Sequence, residues 1–498
     1  MGDAVSSQRY TPEQRTRYRE GLNQDLETFD AYLQEAEFVD HGTIGMELEL
    51  NLVDEDMQPK LCNKQVIEAV DDGDFQSEIG AYNFELNHPV LSVAGDGLDQ
   101  LRQGLTTRLD KAEAAAETAG AHVAMIGTLP TVTPELLRDP NWITDENRYK
   151  ALSNAIVEAR GELVHIDIGD REFFEGDFDD VAPESTCTSM QLHLQVAPNR
   201  FAVAWNASQA IAGVQAALSA NSPLFVGRKV WHESRIPIFA QSIDTRTPEL
   251  VAQGVRPRVW FGERWITSAF DLFEENVRYF PAVLPESREA SGTPEMRGEA
   301  PALHYLNLHN GTVWRWNRPI YSPGPEDEPA HIRVENRLLP AGPTVADMVA
   351  DAAFYYGMVH FFIEQNRPVW SRLSFQDAER NFFTGARSGM YSRMEWPTLG
   401  HIDVGELVRG RLLPQARKGL EMIGVDPVLI DESLHIIDER ARTRQNGATW
   451  QLRTLNGLKP RVTEPDSPER RAALVRMMEL YRENQATGRP VHEWPVTG

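Results

Sequence analysis

The sequence predicts an α+β protein with a sheet-based body to about residue 343 and a helical C-terminal part. Three observations carry that reading. Four stretches ahead of residue 343 alternate apolar and polar residues in the same in/out phase, the mark of strands with one buried face. From Thr344 apolar residues recur at helical spacing instead, over 344–365, 403–424 and 428–444. At 498 residues the chain is also long enough for a large core and two or three domains. It divides into an N-terminal helical lead-in at 1–38, the sheet-based body at 39–343, and the helical part at 344–498 packed on that body.

In chain order, Thr11-Pro-Glu-Gln14 has the pattern of a capping box, with Pro at the first helical position. Leu22, Leu26, Phe29 and Leu33 line one face of the helix it opens. The first strand follows at 43–53. Ile44, Met46, Leu48, Leu50 and Leu52 face a core, and Glu47 and Glu49 project together from the other side. Two residues along a strand span roughly 6.5–7 Å, which lets two carboxylates share a dication or hold one each.

The second strand is Tyr82–Asn87, with Tyr82, Phe84 and Leu86 inward and Asn83, Glu85 and Asn87 outward. A long helix at 97–120, a buried strand at 122–126, a Pro-punctuated loop at 127–134 and a helical segment at 142–161 come next. The third strand, Ser189–Val196, turns Ser189, Gln191, His193 and Gln195 outward. An Ala-rich helix from about Asn199 stops at Asn221-Ser-Pro223, and 227–246 reads as a loop rich in Arg and aromatics. Residues 250–300 show no clean period. Asn310-Gly311 is a hairpin or turn signal between 303–309 and 313–321. Beyond a loop at 322–330, the fourth strand, His331–Arg337, sets Arg333, Glu335 and Arg337 on its polar face. The last helix, 467–483, opens with Ser467 as N-cap and Pro468 at its first position.

Composition narrows the function classes. Forty-nine basic against seventy-four acidic residues give a net charge of −25, which argues against nucleic acid or an anionic membrane as partner. The thirteen His form no HExxH, and two Cys form no metal-type or redox pair. No signal-like apolar region begins the chain and no long apolar run interrupts it, so a cytoplasmic protein with small-molecule substrates is expected. No Gly-rich phosphate loop, Rossmann fingerprint or Ser-His-Asp order offers competing chemistry.

On one sheet face the polar positions gather Glu47, Glu49, Glu85, Gln191, His193, Arg333, Glu335 and Arg337. Singly, each has an ordinary structural explanation: a solvated strand carboxylate, a hydrogen-bonded His, a surface ion-pair ladder. Four clustered carboxylates, however, repel one another unless cations intervene. Hard oxygen ligands suit Mg²⁺ or Mn²⁺ bridging to substrate phosphates, and Arg beside them suits a phosphoryl group in transfer.

Gly45-Met-Glu-Leu-Glu49, Phe84-Glu-Leu-Asn87, Met190-Gln-Leu-His193, Ala220-Asn-Ser-Pro223 and Arg333-Val-Glu-Asn-Arg337 occur in an order that resembles the glutamate–cysteine ligases. Thr186-Cys-Thr188, Leu308–Thr312, Arg148-Tyr149, Ala416–Leu420 and Asn446–Ala448 add to the likeness, which runs from about 40 to 455. The wider group is the carboxylate–amine ligases, which share a catalytic fold with glutamine synthetase. The resemblance implies a curved, mostly antiparallel sheet with helices on its outer face, forming a funnel over ATP and two or three Mg²⁺.

The resemblance implies that Glu49 and Glu85 would hold one metal, and Glu47, Gln191 and Glu335 another. Gln191 stands where many of these ligases place a His, although plant-type members resemble this sequence in having Gln, and His193 is the alternative ligand. Arg337 and Glu335 are the implied catalytic residues, and Arg235, Asn87 and Arg333 the implied substrate contacts. The implied reaction phosphorylates the γ-carboxylate of glutamate with ATP and lets an amine, cysteine by family default, displace phosphate. Three other readings remain beside it: the same chemistry with another amine, a non-catalytic nucleotide- or amino-acid-binding relative, and phosphotransfer to a guanidino group. Oligomeric state is not readable from the sequence.

Overall fold

The computed structural model describes residues 10–36, 38, 42–286, 296–297, 300–324, 329–458 and 464–496. The first nine residues of the predicted lead-in and the middle of the 322–330 loop lie outside the described residues.

The four alternating stretches all form strands of one curled antiparallel sheet. Its strands are β1 (Thr43–Val53), β2 (Phe75–Ser77), β3 (Asn83–Ser92), β4 (His122–Ala124), β5 (Ser189–Val196), β6 (Asn317–Ser322) and β7 (His331–Pro340). Spatial order is β6-β7-β5-β1-β3-β2, with β4 pairing the end of β1. The inward residues Met46, Leu48, Leu50, Phe84, Leu192, Leu194 and Val334 are fully buried, which fixes the register, since a one-residue slip would expose the whole set.

Helix α1 (Pro12–Glu35) starts at the expected capping box: Thr11 Oγ1 accepts from Gln14 N–H, and Gln14 Oε1 accepts from Thr11 N–H at 2.8 Å. The buried face of the sheet is backed by α2 (Pro198–Ser219) and α3 (Val345–Ile363), both buried on nearly all sides. Such helices need apolar or small residues around the whole circumference, and both have them. Tyr356 of α3 donates its hydroxyl proton to the carbonyl of His193 at 3.1 Å, tying the helix to β5.

Helix α4 (Leu413–Met422) crosses α3 at a glycine pair. A Cβ on Gly419 would lie 1.8 Å from the Gly357 carbonyl oxygen, so only hydrogen fits there. Helix α5 (Pro427–Thr443) is pinned to α3 by Arg440, which is buried and bonds Asp347 at 2.9 Å and Asp351 at 2.6 Å. One contiguous core runs from Tyr18 to Trp494.

Three local expectations are corrected. Asn310-Gly311 closes a short helix, His304–Asn310, rather than a hairpin; Gly311 has φ −63° and the segment's Leu306 and His309 pack inward at helical spacing. The Arg-rich loop contains a helix, Arg235–Ser242, whose Ile236 and Ile238 reach the core. Residues 250–300 hold a capped helix, Ala269–Tyr279, with its own capping box from Ser268 to Asp271. The helical part also contains the helices Phe375–Ser388 and Gly447–Leu458 and a ribbon at 393–403, none of which its sequence period announced.

Candidate metal and substrate site

Antiparallel register assembles the polar face. Glu49 stands opposite Glu85 and Glu47 opposite Asn87 across β1 and β3. On the other side Glu47 pairs with Gln191, and Gly45 with His193. Glu335 lies opposite His193, and Arg318 opposite Glu335. All the outward residues named from the sequence share this one face.

Two three-ligand groups result. Ligand atoms of Glu47, His193 and Glu335 lie within 4.8 Å of one another, as do those of Glu49, Glu78 and Glu85. His193 Nδ1 lies 3.0 Å from Arg333 Nε, and Nε2 lies 3.0 Å from Glu47 Oε1. Gln191 lies between the two groups, directly opposite Glu47 in the register. Its Nε2–H donates to Glu49 Oε1 at 3.0 Å, and its Oε1 accepts from Arg337. The geometry gathers His193 with Glu47 and Glu335, and sets the Gln191 amide between Glu49 and Arg337.

Electrostatics separates the two groups. Burial works against the charge on Glu335, yet Arg318 and Arg337 outweigh it and hold the carboxyl well below its ordinary range. Arg318 makes two bonds to it, at 2.6 and 2.9 Å, and Arg337 Nη1 a third at 3.1 Å. Glu47 is likewise lowered, to about 2, because His193 outweighs its burial. In the second group burial prevails, although Arg337 and Arg235 act on Glu49 and Arg148 on Glu78. Glu85 is pushed up to about 8 by burial and then by Glu47 and Glu49. Glu78 rises well above its ordinary value from burial and from Glu85, Glu49 and Glu184.

Glu184 is pushed up to about 8 by burial and by Glu49, and its Oε2 is buried with no hydrogen-bond partner among the described residues. Carboxylates crowded together and starved of partners form a donor set that fits hard divalent cations.

The remaining sequence-named residues surround these groups. Asn87 Nδ2–H donates to Glu85 Oε1 at 2.9 Å. Arg333 is held between His193 and His331. Arg235, buried as the first residue of its helix, donates to Glu233 Oε1 at 2.8 Å and to the Leu338 carbonyl at 2.9 Å. It lines a cleft beside Glu49 and Arg337, walled by Phe239, Trp314 and Trp316.

Sequence reasoning missed Glu78, Glu184 and Arg318. Glu78 follows a three-residue strand and Glu184 lies in a single 3₁₀ turn, so neither had a period to read. Arg318 did have a signal: Asn317, Pro319 and Tyr321 are buried while Arg318 and Ile320 are less so, an alternation like that of its neighbours.

A family model described as glutamate-cysteine ligase family 2 matches residues 43–428. No curated protein matches the chain in sequence. Among solved structures, the fold is similar to that of a glutamate–cysteine ligase from Francisella tularensis, solved in complex with AMP. That likeness has 11% identity and a TM-score of 0.51 and covers 91% of this chain and 95% of that one. A bifunctional glutathione synthetase from Pasteurella multocida matches at 12% identity and a TM-score of 0.49, over 95% of this chain. This chain spans 55% of that longer protein.

Proposed function

The chain belongs to the glutamate-cysteine ligase family 2, and from that premise we propose an ATP- and Mg²⁺-dependent ligase that joins the γ-carboxylate of glutamate to the amine of cysteine. The observation that carries the reading is the pair of three-ligand groups on one sheet face, with Arg337 bonded to Gln191 and Glu335 between them.

Glu47, His193 and Glu335 would hold one divalent ion, and Glu49, Glu78 and Glu85 another. When bound, such ions neutralise phosphate oxygens and polarise the bond to the transferred phosphoryl group. Arg337 supplies fixed positive charge where charge moves during transfer, and its bonds to Glu335 and Gln191 keep it from relaxing away. Arg235, immobilised by Glu233, presents a buried cation to a substrate carboxylate in the cleft. Phe239, Trp314 and Trp316 limit water there, which protects a hydrolysable intermediate.

In the proposed sequence a γ-carboxylate oxygen of glutamate attacks the terminal phosphorus of ATP, and ADP leaves. The amine nitrogen then attacks the acyl carbon, the C–O bond to phosphate breaks, and the nitrogen loses a proton. Free Cys62 and Cys187, and the finding that no described helix is long and apolar enough to cross a membrane, are consistent with the cytoplasmic setting we propose.

The test is phosphate release from Mg-ATP with glutamate and a panel of amines, with products identified by mass and Glu335→Ala as control. A γ-glutamyl amide formed with cysteine and lost in the variant supports the reading. Release with another amine only moves the acceptor. No product with glutamate and any amine overturns it.

A further inference from the structure

Away from the sheet, a cavity of about 370 Å³ opens in the helical part, within the size range of small-ligand sites. Four segments form it: the C-terminal end of α3, the turn after it, the 393–403 ribbon, and the start of α4. Its polar lining is one-sided. Arg367, Arg372, Arg411 and Lys418 all border it, and no Asp or Glu does. In a chain with 74 acidic against 49 basic residues, such a cleft runs against the composition.

Pairing sharpens the contrast. On the neighbouring faces of the same helical stretch, Arg409 bonds Asp438 at 2.8 Å and Arg417 bonds Asp431 at 2.6 Å. Arg367, Arg372, Arg411 and Lys418 have no ion pair and no side-chain hydrogen bond among the described residues. Like charges left uncompensated around one cavity repel one another, and an anion relieves that repulsion.

Backbone geometry points the same way. The helical path 404–422 is interrupted by a π-helical turn at Val408–Leu412, a local irregularity that is frequent at binding sites. Its Gly410 and Arg411 both border the cavity. A Cβ on Gly410 would meet nothing within 4 Å, so the glycine leaves space open rather than relieving a clash. Beside the same cavity, Gln415 Oε1 is buried with no hydrogen-bond partner among the described residues. Trp396, Phe361 and Phe362 supply apolar wall and exclude water from one side.

We propose that this cleft is a second ligand site, separate from the metal-binding sheet face, and that it takes a small multivalent anion bearing phosphate or carboxylate groups. Arg367, Arg372, Arg411 and Lys418 hold the charges, and the Gln415 amide takes a further polar group.

Calorimetry on the full chain, in buffer stripped of divalent metals, tests the site with inorganic pyrophosphate and with citrate as separate probes. One equivalent is expected to bind. Affinity should fall at least about tenfold in Arg411→Ala/Lys418→Ala, as expected for loss of two charge-assisted contacts. Gly410→Trp, which fills the cleft without removing charge, should weaken binding as well. Arg337→Ala and Arg409→Ala should bind as the parent does. Pyrophosphate alone, or citrate alone, assigns the phosphate or the carboxylate class. Failure of both probes, binding that persists in the double variant, or binding lost in Arg337→Ala instead overturns the proposal.

Discussion

Glu49 and Glu85 are direct cross-strand partners on the same face of β1 and β3. Like charges placed this way destabilise a sheet; burial pushes Glu85 up to about 8, with Glu47 and then Glu49 adding repulsion. A cation held between the two carboxylates, as in the proposed metal site, would relieve that repulsion. Glu85→Gln keeps the shape and removes the repulsion. The metal-free variant should be more stable than the parent by about 1 kcal/mol at pH 8.5, read from chemical denaturation. Stabilisation by Mg²⁺ should be lost in the same variant.

The raised carboxyls couple metal binding to protons. Below about pH 8 Glu85 and Glu184 hold protons in the metal-free protein, and a cation displaces them. Adding Mg²⁺ to a weakly buffered solution at pH 7 should release protons, and apparent Mg²⁺ affinity should rise as pH increases from 6 to 8. A pH-stat titration measures both. Affinity independent of pH over that window contradicts the placement of these groups.

Acid should weaken the fold through two buried histidines. Burial, with Arg171 adding repulsion, pushes His232 down to about 4, and burial pushes His309 down to about 4. Both rings are uncharged in the folded chain, so the unfolded chain binds more protons below pH 6.5. Their contribution is whole above pH 6.5 and fades as pH falls toward 4. Urea midpoints should drop across that window, and His309→Gln should flatten the drop.

The crossing of α3 and α4 leaves no space for a side chain. Gly419→Val would drive atoms into the Gly357 carbonyl and the Phe361 backbone nitrogen, at a cost of about 3 kcal/mol from overpacking. Gly410→Ala, in open space on the same helical stretch, should be close to neutral. Urea denaturation of the two variants compares them directly.

Legibility followed periodicity. β1, β3, β5 and β7 each bury one face, so alternation in the sequence named their outward residues, and antiparallel register brought those residues together. α2 was legible as an Ala-rich run and α3 as the first stretch that turns helical after Thr344. Glu78 and Glu184 were not, because a turn residue reaches the site through tertiary placement that no local period records. Asn310-Gly311 misled because the same dipeptide serves a hairpin turn and the end of a helix, and packing of Leu306 and His309 decides between them. Gln191 and His193 both point outward from β5, and the sequence alone does not show that Arg333 orients the His193 ring toward Glu47 while Arg337 and Glu49 hold the Gln191 amide.

The most direct test of the ligase account is oxygen transfer during turnover. Glutamate labelled with ¹⁸O in its γ-carboxylate, supplied with cysteine and Mg-ATP, should pass one labelled oxygen to each inorganic phosphate released, alongside ADP and a γ-glutamyl amide. Phosphate free of label, or AMP and pyrophosphate in place of ADP and phosphate, would contradict attack of the carboxylate on the terminal phosphorus of ATP.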